Sequence, residues 1–129
     1  MTETPPTKIL IVDDEESLLN LLKVILEANG YRTLSASNAK DALSILDATT
    51  DRIHAVLLDL NLEGSRGESL YESFVAIDSD LAIFPMSGCL REEIEERFIG
   101  KDIAGAIAKP FLPATLLKTL EQGLAHIAQ

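Results

Sequence analysis

The sequence predicts an α/β fold: a doubly wound, five-stranded parallel sheet with helices on both faces. Three observations carry that prediction. Short runs of Ile, Leu and Val alternate along the chain with longer segments of helical periodicity, five of each. The runs are apolar almost throughout, the mark of strands buried on both faces of a sheet. Most of them end at a polar residue, and right-handed crossovers between parallel strands gather such ends along one edge.

Lys8–Val12 is the first strand, bounded by charge. Glu15–Asn29 follows with helical spacing, Leu18, Leu21, Leu22 and Ile25 falling on one face. Gly30 stands where a left-handed residue ends a helix. Tyr31–Ala36 is the second strand, and Asn38 caps a helix over Ala39–Ala48. His54–Leu58 is the third strand, stopped by Asp59. Glu68–Ile77 reads as a helix, Leu81–Met86 as the fourth strand despite Pro85, and Leu90–Phe98 as a short acidic helix. Ile103–Ala108 is the fifth strand. Pro113 suits the first position of the last helix, whose apolar stripe is Leu117, Leu120, Leu124 and Ile127.

A chain of 129 residues is the size of one domain, read as a flexible lead over residues 1–7 and a single domain over 8–129. Eleven basic against 21 acidic side chains leave a net charge of −10, which repels the phosphates of DNA and RNA and argues against a nucleic-acid partner. The one cysteine, Cys89, cannot form an internal disulfide and suits a reducing compartment. The start of the chain has no basic segment followed by an apolar one, and runs such as Ile9–Val12 and Ala55–Leu58 are too short to cross a bilayer. A cytoplasmic location with no membrane contact is expected.

The informative residues lie where strands end. The first strand runs into Asp13 and Asp14, the third into Asp59, the fourth into Ser87 and the fifth into Lys109. Three carboxylates at one edge repel one another and hold protons unless something compensates. A hard divalent cation with oxygen ligands is the simple remedy, and Mg2+ combines one or two carboxylates with water and phosphate oxygens. Lys109 and the Ser87 hydroxyl suit the oxygens of a phosphoryl group, and a carboxylate beside them could accept it as an aspartyl phosphate.

Taken together, Asp13-Asp14 after the first strand, Asp59 after Ala-Val-Leu-Leu, Ser87-Gly88 and Lys109-Pro110-Phe111 resemble the receiver domain of two-component response regulators, over nearly the whole chain. The Met-Ser-Gly segment at 86–88 is also similar to receivers of hybrid histidine kinases. The resemblance implies the flavodoxin-like strand order 2-1-3-4-5. It makes Asp59 the phosphoacceptor and gives Mg2+ to Asp13, Asp14, Asp59 and the main-chain carbonyl of Asn61. Ser87 and Lys109 then serve the phosphoryl group, Gly67 matches the glycine ending the acceptor loop, and the Lys109–Pro110 bond is cis. Such a domain is a switch that catalyses only its own phosphorylation and dephosphorylation, not a conventional enzyme. The implied partners are a sensor histidine kinase or a histidine phosphotransfer protein, and a downstream target protein reached by contact, since no output segment follows residue 129. Two positions depart from the family pattern. Glu63 replaces the loop's common proline, and Ala106 the aromatic three residues before the lysine. With one basic residue, Lys118, on the last helix to face the acidic Leu90–Phe98, a monomer is expected.

Plainer readings exist for each motif. Asp13–Glu16 is also an acidic first turn of a helix, and Asp59-Leu60-Asn61 is also ordinary turn chemistry. His54 and His126 read as structural or solvated, and Cys89 as a small buried hydrophobe. Two rival functions share the architecture. A flavin-binding module needs a Ser/Thr/Gly-rich loop after the first strand, where four acids stand instead. An Mg2+-dependent acid-cluster enzyme of nuclease or topoisomerase type needs paired acids that Asp59-Leu60-Asn61 does not supply, and a DNA substrate disfavoured by the net charge.

Overall fold

The computed structural model describes residues 6–64 and 66–125. The elements are β1 (Lys8–Val12), α1 (Glu16–Ala28), β2 (Arg32–Ala36), α2 (Ala39–Ala48), β3 (Ala55–Asp59), α3 (Gly67–Ile77), β4 (Ala82–Ser87), α4 (Arg91–Arg97), β5 (Ile107–Ala108) and α5 (Pro113–Leu124). His126, Ile127 and the lead as far as Pro5 lie outside the described residues. The strands form one parallel sheet in the order β2-β1-β3-β4-β5. This is the doubly wound, flavodoxin-like arrangement, and it sets the carboxyl ends of β1, β3, β4 and β5 side by side.

Period-two alternation divides the core in two. Leu10, Val12, Val56, Leu58 and Ile83 face α2, α3 and α4, meeting Ala42, Leu46, Leu70, Phe74, Ile94 and Phe98. Ile9, Ile11, Leu57, Phe84 and Met86 face the other way, against Leu22 and Leu26 of α1 and Leu116 and Leu120 of α5. Local chemistry sets the element ends. Asn38 Oδ1 accepts the Asp41 N–H at 2.8 Å, Gly30 takes φ +90°, and Pro113 opens α5.

Three sequence expectations need correction. On α1 the buried line is Leu22 and Leu26, with Leu18 and Ile25 at its margin, while Leu21 is half exposed on the outer side. On α5 the contact line is Leu116, Leu120 and Gly123, with Leu117 and Leu124 flanking. The reason is Gly123, where a Cβ would stand 2.5 Å from the Phe84 ring. Its missing side chain lets the helix roll onto that ring. The third correction is β5, which spans only Ile107–Ala108 rather than Ile103–Ala108. The Ala104 N–H donates to Ile83 O at 2.9 Å and the Lys109 N–H to Ser87 O at 2.7 Å, so the β5 side holds one residue more than β4 between the two bonds. Pro85 lies in that interval and has no N–H to donate, which is where sheets tolerate proline: beside an irregularity at an edge.

Candidate functional site

The site lies at the carboxyl edge, where β1, β3 and β5 end. Asp13 is fully buried and Asp59 nearly so, whereas Asp14 is exposed. One carboxylate oxygen from each lies within 4.8 Å of the others. Lys109, at the end of β5, places Nζ 2.9 Å from Asp13 Oδ2 and 3.3 Å from Asp59 Oδ1. The structure thus brings together four of the six residues singled out from the sequence. Ser87 is one residue beyond Met86, the register partner of Asp59, and its Oγ accepts the Cys89 N–H at 3.3 Å. Asn61 sits exposed at the mouth of the acceptor loop.

Each carboxylate is turned by a backbone amide. Asp13 Oδ1 accepts the Glu15 N–H at 2.9 Å, and Asp59 Oδ1 accepts the Asn61 N–H at 3.0 Å. These are local turns, so the turn reading and the site reading of the same acids hold together. Asp14 Oδ2 accepts the Glu63 N–H at 3.3 Å, from 49 residues away. No side-chain pattern signals that third contact, because its donor is main chain. Among the described residues, Asp59 Oδ2 and Asp14 Oδ1 have no protein hydrogen bond.

Burial is the main force on Asp59 and pushes its carboxyl above the usual range. The Asn61 N–H and the Lys109 ammonium pull against it, and the charge of Asp13 adds to the rise. Burial alone would lower Lys109, but its hydrogen bond to Asp13 and the charges of Asp59 and Asp13 outweigh that, so its ammonium is held above its ordinary value. Three carboxylates face one ammonium, a balance that a single divalent cation closes, and the donor set is hard oxygen throughout.

The loop after Asp59 is packed rather than slack. Leu60 and Leu62 are buried, while Asn61 and Glu63 point outward. Gly67 starts α3 against Leu60, where a Cβ would collide with Leu60 Cδ2. The Lys109–Pro110 bond is cis. Ala106 is buried in the same core cluster as Tyr71 and Phe98, whose rings meet edge to face at 5.6 Å. Of the histidine and cysteine readings in the described region, His54 makes a structural contact, whereas Cys89 is partly exposed rather than buried. His54 Nδ1 accepts the Lys8 N–H at 3.0 Å, and half-buried Cys89 packs on the core. No helix among the described residues is long and apolar enough to cross a membrane.

Residues 9–121 match the family described as the response regulator receiver domain. The putative two-component response regulator ARR21 of Arabidopsis thaliana is 27% identical over 118 residues, 92% of this chain and 19% of that protein. The transcriptional regulatory protein PrrA of Mycobacterium tuberculosis is 31% identical over 113 residues, 85% of this chain and 46% of that protein. The chain spans less than half the length of either relative. Among solved structures, the CheY-like receiver domain protein of Methanospirillum hungatei JF-1 superposes with a TM-score of 0.83 at 26% identity, over 94% of this chain and 95% of that one. The match runs through every strand end that supplies Asp13, Asp14, Asp59, Ser87 and Lys109, and the chain belongs to the response regulator receiver domain family of two-component systems.

Proposed function

We propose that this receiver accepts a phosphoryl group on Asp59, in an Mg2+-dependent reaction, from a phosphohistidine on a sensor histidine kinase or a histidine phosphotransfer protein. One observation carries the reading: three carboxylates crowd within 4.8 Å around a buried Asp59, with the Lys109 ammonium as their counter-charge. Asp13, Asp14, Asp59 and the Asn61 main-chain carbonyl would hold the ion. When bound, Mg2+ supplies neutralisation of the phosphoryl oxygens.

The chain's own groups do the rest. Asp59 Oδ1 is held by the Asn61 N–H and Lys109, which leaves Oδ2 as the nucleophile. An O–P bond forms as the P–N bond breaks, and the imidazole nitrogen leaves with the bonding pair. Lys109 pairs with the phosphoryl oxygens and the Ser87 hydroxyl donates to one of them. Water in place of the imidazole reverses the modification. Residues 8–129 act as a single receiver unit in the cytoplasm and signal by contact with a downstream target protein. The unit stays monomeric, because α5 offers one basic residue, Lys118, toward the acidic α4.

Acetyl phosphate tests the reading. A singly phosphorylated mass is expected with Mg2+, and it is expected to vanish with a chelator and in Asp59→Asn. An undiminished phosphorylated mass in Asp59→Asn would overturn the assignment of the acceptor.

A further inference from the structure

We propose that the backbone amide of Glu63 is a positioning group for the metal-binding carboxylate of Asp14, joining the β3–α3 loop to the metal site. The proposal rests on the Mg2+ reading above. Asp13 and Asp59 are buried and each is turned by the amide two residues further on, so their own segments fix them. Asp14 is different. It is the exposed member of the cluster, and its amide donor comes from another loop. A free surface carboxylate samples several rotamers, and binding an ion must select one of them. The Glu63 N–H on Oδ2 makes that selection beforehand and leaves Oδ1 uncommitted.

The donor is itself held by packing. Leu60 and Leu62 are 5% exposed each and enter the core, while residues 61 and 63 alternate outward. In this packed turn the amide of 61 serves Asp59 and that of 63 serves Asp14. Gly67 makes room for Leu60, and Gly64, directly after the donor, takes the left-handed φ of +78° that favours glycine. The Glu63 side chain has no part in this, so any residue with an N–H serves. A proline does not, having none to give. By linkage, an ion that favours the oriented Asp14 also favours the ordered loop.

The test is Mg2+ titration calorimetry on the full chain, comparing wild type, Glu63→Ala and Glu63→Pro, with circular dichroism melts in chelator to report the fold. Glu63→Ala is expected to bind within about twofold of wild type and Glu63→Pro roughly tenfold more weakly, the scale of losing one group that orients a metal ligand. A second measurement needs no metal and no proline. In metal-free protein, Asp14→Ala is expected to speed hydrogen exchange at the Glu63 amide severalfold and leave the Asn61 amide unchanged. Equal Mg2+ affinity in wild type and a folded Glu63→Pro, or unchanged exchange at Glu63 in Asp14→Ala, overturns the proposal alone. A wild-type chain that binds no Mg2+ overturns the metal reading beneath it and the proposal with it.

Discussion

At the scale of single residues, the site is a problem of charge. Asp13 and Asp59 have side chains 1% and 4% exposed, and Lys109, 22% exposed, is the cation that reaches both. Removing one partner of a buried ion pair costs more than the pair contributes, because the remaining charge is left desolvated. Lys109→Met keeps the length of the side chain and removes the charge. It is expected to lower the unfolding free energy by about 3 kcal/mol in chelator, and added Mg2+ is expected to recover part of the loss. Urea titrations with and without Mg2+ read both. A second residue answers to pH. Burial, and the nearby Arg52 and Lys8 charges, hold His54 below its ordinary value. The folded state therefore binds fewer protons here than the unfolded one. Its contribution is complete above about 6.5 and fades as pH falls through the lower folded value. Melting temperatures between about pH 7 and 5.5 should fall in wild type and stay flatter in His54→Leu, whose absolute stability is lower.

At the scale of elements, α3 and the segment after α4 are cross-linked. The Tyr71 hydroxyl donates to Asp102 O at 3.0 Å and accepts the Asp102 N–H at 2.8 Å, while its ring meets Phe98. Arg97–Glu68 at 2.7 Å and Lys101–Glu72 at 2.6 Å flank it at the surface. Tyr71→Phe retains the ring contact and strips both backbone groups of Asp102 of a partner. A loss of roughly 1–3 kcal/mol is expected, with faster exchange of the Asp102 amide in native-state measurements. None of these contacts was legible in the sequence, since each joins residues about thirty positions apart and leaves no local periodicity. The strands were legible, because apolar runs buried on both faces stand out against polar flanks. So were the Asn38 cap and the Gly30 terminator, whose chemistry is local. Helix faces were less so. Leu21 has the right spacing but lies outside the buried arc of α1, and Gly123 draws the contact line of α5 toward a residue no hydrophobic count would choose. At the site, the side chains Asp13, Asp14, Asp59, Ser87 and Lys109 could be read from where strands end, while the Glu63 amide could not.

At the scale of the whole molecule, the sheet is unevenly joined. β1 and β3 are paired on both sides along their length, whereas β5 meets β4 at two residue pairs, with Pro85 and an extra residue upstream. Local openings draw on the least-paired segments, so amides between Asp102 and Ile107 are expected to exchange well before those of β1 and β3, which report global unfolding. Uniform exchange across all five strands would contradict this. The downstream end of β5 is another matter. Lys109 is fastened twice, by its main-chain N–H to Ser87 O and by its ammonium to Asp13 and Asp59. β5 is in effect a short tether, compliant at one end and clamped at the other. The Ser87 main chain is thereby joined to the Lys109 ammonium through one hydrogen bond and one residue, a path that does not include the small side chain of Ala106.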